Sequence, residues 1–206
     1  MDTRAQRERL VAQLDRQGRI ERDSTREALL AVPRHEFVPE ARRSAAYDDR
    51  PLPIGEGQTI SAPHMVAMMT DLLGLDPGDS VLEIGTGCGY HAAVTAEVVG
   101  HLRSVEYYEP LAVATRERLA RLGYDVEVRV GDGHQGWPEG APYDAAYLTC
   151  ATPEIPDPVV EQVRLGGRIV APVGTRRQTL VRATKQEGGD LDVEKHGGVR
   201  FVRMQG

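Results

Sequence analysis

Three features of the sequence have the chemistry to hold a nucleotide-like ligand: the turn Gly85-Thr86-Gly87-Cys88-Gly89 and two later acids, Glu106 and Asp132. The turn follows a short apolar run, Val81-Leu82-Glu83-Ile84, and an apolar helical pattern follows at once. Glycines there let the backbone turn tightly and approach a ligand with no Cβ in the way. A dinucleotide fingerprint, Gly-x-Gly-x-x-Gly, would place its third glycine at position 90, where Tyr90 stands. Here the third glycine is Gly89, one residue early. Glu106 lies seventeen positions beyond Gly89, and an acid there can accept hydrogen bonds from both hydroxyls of a ribose. Asp132, within Gly131-Asp132-Gly133, could accept from an adenine amino group, with neighbouring backbone N–H groups serving the ring nitrogens. Either acid alone is an ordinary polar residue at a strand end. The combination points to a cofactor cradle.

The elements that must carry these residues alternate regularly. Strand 80–84 leads to a helix near 89–99 and strand 102–106, then a helix from Pro110 to about Leu122 leads to strand 126–130. Strand 144–148 follows a loop, a helix over Pro156 to Arg164 is closed by Gly166-Gly167, and strand 168–173 comes next. This alternation predicts an α/β fold, a Rossmann-like, doubly wound, mostly parallel sheet covered on both faces. Ligands of such sheets bind beyond the carboxyl ends of the strands, near the switch in strand order, and the glycine turn, Glu106 and Asp132 fall at such ends. Residues 2–46 read as helical and mostly polar, broken at Gly18 and Val32-Pro33, with Asp23 or Ser24 capping a short helix that ends near Ala31. A loop rich in proline and glycine runs from Tyr47 to Ser61. Met65, Met68, Met69, Leu72 and Leu73 then recur at helical spacing behind Pro63, most simply as core. In the tail, Leu180–Thr184, Leu191–Glu194 and Val199–Met204 are strand-like runs, read as antiparallel edge strands or a small β appendage. The expected division is an N-terminal helical segment with a substrate and cofactor loop (1–78), a cofactor-binding core (79–174) and a C-terminal antiparallel β appendage (175–206).

Composition narrows the function. The 206 residues, 40% hydrophobic, suit one domain, or one domain with a small appendage. A formal charge of -6 argues against a general nucleic-acid binder. Two cysteines make neither a disulfide scaffold nor a zinc module, and the six histidines are dispersed, so no metal is expected. No apolar run approaches the ~20 residues that span a bilayer. The charged N-terminus lacks the apolar core of a signal peptide. The expectation is a cytoplasmic monomer with neither membrane nor nucleic-acid partners. Lysine occurs only at Lys185 and Lys195, and all other basic side chains are arginine.

The compact glycine turn is typical of enzymes that bind S-adenosylmethionine. The segment Gly57-Gln58-Thr59-Ile60-Ser61-Ala62-Pro63-His64-Met65-Val66 resembles the signature of the protein-L-isoaspartate O-methyltransferase family. The likeness extends to Val32-Pro33-Arg34-His35-Glu36-Phe37-Val38-Pro39, Gly131-Asp132-Gly133, Ala141-Pro142-Tyr143-Asp144 and the run Leu165 to Gly174. It also includes Val199-Arg200-Phe201-Val202. The resemblance implies methyl transfer from S-adenosyl-L-methionine to the α-carboxylate of L-isoaspartyl residues in damaged proteins and peptides. It makes Ser61 the catalytic residue, orienting the carboxylate. The implied cofactor-binding set is Gln58, Thr59, Ile60 and His64 before the core; Gly85, Thr86, Gly87, Cys88 and Gly89 in the turn; and Glu106, Tyr107, Asp132, Gly133, Thr149 and Gln178 beyond. An α-carboxyl group, with a pKa of roughly 3.5, is ionised at neutral pH and needs no strong base. Alignment with the sulfonium methyl is the main demand, and such positioning is worth roughly 7–11 kcal/mol.

Plainer roles stand beside these. Ser61 could cap the helix that follows, and a histidine on an amphipathic helix is more often structural than catalytic. Cys150 reads as small pocket wall or core. The chain departs from the family at Cys88, usually serine, at the bulky pair Tyr107-Tyr108, and at Arg203, where proline is common. Two other readings compete: an S-adenosylmethionine-dependent methyltransferase with a different acceptor, and a cofactor-binding relative without transfer activity. Base-methylating enzymes tend to carry Asn/Asp-Pro-Pro-aromatic after the fourth strand, where Thr149-Cys150-Ala151-Thr152 stands.

Overall fold

The computed structural model describes residues 2–206. Helix α1 (Thr3–Arg16) is capped by Asp2, which accepts from the N–H groups of Arg4 and Ala5, and buries Leu10, Val11 and Leu14. Helix α2 (Asp23–Ala31) has Arg22 in its cap position with no side-chain cap bond, so neither Asp23 nor Ser24 caps it. Asp23 instead opens the first turn, where its charge complements the helix dipole. The helix stops at Val32 (φ -76°, ψ 120°), which the following Pro33 holds out of the helical region.

The loop expected over 47–61 contains a hairpin. Strands β1 (Leu52–Gly55) and β2 (Gln58–Ile60) pair antiparallel around a turn in which Gly55, Glu56 and Gly57 all have positive φ. Pro51 and Pro53 obscure this in the sequence, but a two-stranded ribbon has edges that tolerate proline. Helix α3 (Pro63–Leu73) follows, with Ala62 in the cap position, so Ser61 lies one residue outside it and does not cap it. Of the methionine stripe, Met69 and Leu73 are fully buried, while Met65, Met68 and Leu72 pack partly buried on the core.

The central sheet has seven strands in the order β5-β4-β3-β6-β7-β8-β9. They are β3 (Val81–Ile84), β4 (Leu102–Glu106), β5 (Val126–Val130), β6 (Tyr143–Leu148), β7 (Val163–Val173), β8 (Gln178–Lys185) and β9 (Leu191–Val199). The first five are parallel and joined by helices α4 (Tyr90–Val99), α5 (Glu109–Leu122) and α6 (Asp157–Gln162). Helix α4 is buried on every side except at Glu97, which is why it reads as apolar rather than amphipathic. The chain runs outward one way through β4 and β5 and the other way through β6 and β7, so the switch point lies between β3 and β6.

Helix α6 ends at Gln162, short of the expected Arg164, and Gly166-Gly167 does not close it. Val163 already pairs with Tyr143, and residues 164–167 bulge out before Arg168 pairs with Ala145. Lys185 closes the helix from a distance, its Nζ donating to the carbonyls of Val160 (2.9 Å), Glu161 (3.1 Å) and Val163 (2.8 Å). Strands β8 and β9 extend the main sheet as antiparallel edge strands. The run 199–204 is not a further strand. It makes one bridge, Arg203 to Ala151, as it crosses the carboxyl ends of the parallel strands. Ala151 N–H donates to Val202 O (2.7 Å) and Met204 N–H to Ala151 O (2.8 Å). No helix among the described residues is long and apolar enough to cross a membrane.

Candidate active site

The glycine turn leaves β3 at the switch point. Gly85 (φ +95°) donates its N–H to Val105 O at 2.8 Å, and a Cβ built on it would lie 2.4 Å from Thr149 Oγ1. The Thr149 hydroxyl donates to the Gly85 carbonyl, locking the turn against the end of β6. Glu106, at the end of β4, is buried. Its Oε2 accepts from Gly87 N–H (2.7 Å) and its Oε1 from Tyr108 N–H (2.9 Å). Each oxygen retains a lone pair for a ligand hydroxyl. These groups face a cavity at the carboxyl ends of the parallel strands, where small-molecule sites of such sheets lie. Gln58 and Thr59 border it from the hairpin, Tyr107, Tyr108, Gly133 and Cys150 from the sheet, and Val202–Gln205 from the tail. Half-exposed Tyr107 stands edge-on to Tyr108, ring centroids 5.4 Å apart, at the rim.

Several expected cofactor residues act at one remove. Asp132 does not line the cavity: its Oδ1 accepts from His134 N–H (2.9 Å) and meets His134 Nδ1 (2.8 Å). Burial raises the Asp132 pKa, but the bonds from His134 outweigh it and hold the carboxyl below its ordinary range. Its work is to shape the turn that presents Gly133, whose Cβ, if it had one, would strike Ile84 Cγ2 at 2.4 Å. Gly89 does not border the cavity either. It starts α4 at φ +85°, and a Cβ there would lie 2.7 Å from Thr115 Cγ2 on α5. Gln178 is on the far side of the tail, where its Oε1 accepts from Phe201 N–H (2.6 Å) and its Nε2 donates to Phe201 O (3.0 Å). Both ends of its amide are spent on that backbone, so Gln178 positions the tail and does not reach the cofactor cavity.

A second cavity, about 720 Å³, opens beside the first. Pro51, Ser61, His64 and Met65 form one wall and Gly198–Val202 the other. His64 therefore belongs to this cavity and not to the cofactor cavity. Its backbone N–H (2.9 Å) and Nδ1 (2.8 Å) both meet Asp49 Oδ1, which fixes the ring with Nδ1–H as donor. A third, smaller cavity of about 290 Å³ lies between Thr59-Ile60-Ser61 and Gly85–Cys88. Thr59 and Thr149 border all three cavities, and Ser61 borders the second and third. Half-buried Ser61 has no hydrogen-bond partner for its hydroxyl among the described residues, so the hydroxyl is unspent where the cavities meet.

Beneath the site a polar stack ties four elements together. Glu83 is fully buried on β3, with donors from Tyr147 Oη (2.9 Å) on β6 and from Ser104 Oγ on β4. Burial pushes its carboxyl up to about 8. Thr86 Oγ1 continues the chain at 2.6 Å from Ser104 Oγ. The His91 ring lies tilted against Tyr147, centroids 4.5 Å apart, and burial pushes His91 down to about 3. Cys88 and Cys150 are both buried and free, with Cys150 pushed by burial to about 12, so neither is a nucleophile. Cys150 is pocket wall. Among the described residues no three His, Cys, Asp or Glu side chains converge on a metal position.

A glycine turn after the first parallel strand, an acid ending the second and a cavity at the switch point together define a Rossmann-like methyltransferase. The family model described as protein-L-isoaspartate(D-aspartate) O-methyltransferase matches residues 5–206. Among relatives, the protein-L-isoaspartate O-methyltransferase 2 of Archaeoglobus fulgidus is 52% identical over 210 residues, covering 100% of this chain and 95% of that one. The protein-L-isoaspartate O-methyltransferase of Methanopyrus kandleri is 51% identical, covering 98% of this chain and 92% of that one. A solved protein-L-isoaspartate O-methyltransferase superposes with a TM-score of 0.90 at 34% identity over 97% of this chain, which spans 66% of that longer one. A Plasmodium falciparum structure in complex with S-adenosyl-L-homocysteine shares the fold, with a TM-score of 0.84 at 23% identity, covering 97% of this chain and 98% of that one. The chain belongs to the protein-L-isoaspartate(D-aspartate) O-methyltransferase family.

Proposed function

We infer that the chain repairs damaged proteins by transferring a methyl group from S-adenosylmethionine to the α-carboxylate of L-isoaspartyl residues. The observation that carries this reading is the junction at Ser61. The cavity with glycine walls and a buried acid shares Thr59 and Thr149 with the acceptor cavity, and Ser61, between that cavity and the small one against Gly85–Cys88, brings an unspent hydroxyl to this wall. The cradle suits the cofactor. Side chains at Gly85 or Gly133 would collide with their surroundings, and Glu106 is held by two backbone N–H groups with acceptor capacity left for ribose hydroxyls.

Within this reading Glu106 orients the ribose, and Tyr107 and Gly133, presented by Asp132, frame the adenine side. Gly85, Gly87 and the backbone of Thr86 and Cys88 take the methionine half. Gln58, Thr59, Ile60 and Thr149 close the wall toward the acceptor. When bound, S-adenosylmethionine supplies an electrophilic methyl group on a sulfonium. Ser61 would donate a hydrogen bond to one oxygen of the acceptor carboxylate and leave the other free to face the cofactor side. The ordinary α-carboxyl pKa of roughly 3.5 means that no residue need remove a proton. His64, fixed by Asp49, lines the acceptor wall as a positioning residue. A cytoplasmic monomer acting without nucleic-acid or membrane partners fits the acidic chain.

The test is methyl transfer from labelled S-adenosylmethionine to a matched pair of peptides, one isoaspartyl and one aspartyl. A base-labile ester on the isoaspartyl peptide alone is expected. Equal labelling of both, or of neither while cofactor still binds, would assign the site to another acceptor.

A further inference from the structure

Past the acceptor cavity the surface opens into a groove of about 1,570 Å³ between the β7–β8 turn and the run after β9. Four arginines line it: Arg176 and Arg177 from the turn, and Arg200 and Arg203 from the run. All four are exposed, and no acidic residue lines the groove. This positive patch runs against a net charge of -6 for the whole chain.

The four guanidinium groups are also unspent. Among the described residues none has a carboxylate partner, and their one polar contact is Arg203 to the Thr175 carbonyl at 3.5 Å. Arginines on the adjoining strands are engaged instead, Arg182 with Glu194 at 3.1 Å and Arg168 with Asp79 at 3.8 Å. The groove adjoins the acceptor cavity, with Gly198, Val199, Arg200 and Phe201 as their common wall. Gln178 holds Phe201 in place at that shared wall. A peptide seated with its reacting carboxylate at Ser61 therefore has flanking residues close to the arginine groove.

We propose that the groove is a subsite for acidic residues flanking the isoaspartyl residue, so that the enzyme selects damaged segments rich in Asp and Glu. This deepens, and rests on, the isoaspartyl reading of the acceptor cavity. Arginine suits the task, since its planar fork grips a carboxylate through two parallel bonds. Each exposed pair contributes little, so two or three pairs amount to about a 5- to 20-fold preference at low salt. The preference fades as the Debye length falls from roughly 10 Å at 0.1 M to 3 Å at 1 M salt.

The experiment uses the full chain and three isoaspartyl peptides of equal length whose flanking residues are acidic, neutral or basic. The expected kcat/KM order is acidic, neutral, basic, carried by KM and collapsing at 1 M salt. Arg176→Glu/Arg177→Glu should invert the order and Arg176→Gln/Arg177→Gln flatten it, with S-adenosylhomocysteine binding measured on each variant as the fold control. Equal kcat/KM for the three peptides would overturn the subsite and leave the isoaspartyl reading standing. No methylation of any peptide, with cofactor binding intact, would overturn that reading and the subsite with it. Capture of a single-stranded oligonucleotide that the charge reversal abolishes, without any flank preference, would reassign the groove to nucleic acid.

Discussion

The cofactor cradle and the acceptor side differ in how their polar groups are used. In the cradle nearly every polar group is committed: Glu106 to two backbone N–H groups, Thr149 to Gly85, and Glu83 to Tyr147 and Ser104. On the acceptor side His64 is committed to Asp49, but the Ser61 hydroxyl and the arginines of the groove are unspent. Preorganised groups hold a ligand that is always the same. Unspent groups at a wide opening suit an acceptor whose surroundings vary from one damaged protein to the next. Damage to the cradle should therefore remove cofactor binding and stability together, whereas damage to the acceptor side should affect turnover or KM alone.

The sharpest break is Gly85→Ala. The new Cβ would lie 2.4 Å from Thr149 Oγ1 at a φ of +95°. We expect cofactor affinity to fall by more than about 100-fold and stability by roughly 2–4 kcal/mol, read by calorimetry and urea unfolding. The same substitution at Gly100, where nothing lies within 4 Å of a Cβ, should leave affinity intact.

Glu83 tests the buried floor of the cradle. Burial lifts its folded-state pKa from the ordinary 4.5 to about 8, so the folded protein holds this proton longer than the unfolded chain does. Its stabilisation is full below pH 4.5 and is lost as pH rises to about 8. Glu83→Gln keeps an acceptor and removes the titration. It should flatten that decline by on the order of a few kcal/mol, measured by unfolding at pH 5 and pH 8. Parallel pH profiles for wild type and variant would contradict the assignment. His91 carries the opposite sign, being depressed from 6.5 to about 3, so its contribution is present above pH 6.5 and lost in acid. His91→Phe should flatten only the acid limb.

The smallest expected effect is Asp49→Asn. It leaves the His64 N–H bond but weakens the Nδ1 hydrogen bond that sets the ring. We expect KM for the isoaspartyl peptide to rise about 3- to 10-fold with little change in cofactor affinity, as for one weakened charge-assisted bond. A matching loss of cofactor affinity would show that the two sides are not separable at this wall.

Legibility in the sequence follows the same division. Strands β3 and β6 are mostly apolar runs buried in a parallel sheet, and the glycine turn and Glu106 are legible because they sit at strand ends, where local pattern and global position agree. What was hidden depends on distant partners. Lys185 closes α6 from more than twenty residues away, Asp49 reaches His64 across fifteen, and the tail is held at Ala151 instead of forming a strand. Gln178 is near the site in sequence but turns its amide to Phe201. Prolines at 51 and 53 concealed the hairpin that delivers Gln58 and Thr59.

The most direct test of the division is to measure S-adenosylhomocysteine binding and isoaspartyl turnover together on Ser61→Ala and Glu106→Gln. Ser61→Ala should bind S-adenosylhomocysteine like the wild type while kcat/KM for the peptide falls about 10- to 30-fold, the loss of one hydrogen bond to a charged group. Glu106→Gln should instead lose about 30- to 100-fold in binding, with turnover falling in step at subsaturating cofactor. If Ser61→Ala lost cofactor affinity as severely as Glu106→Gln, or turned over the peptide at the wild-type rate, Ser61 would not be the residue that positions the acceptor.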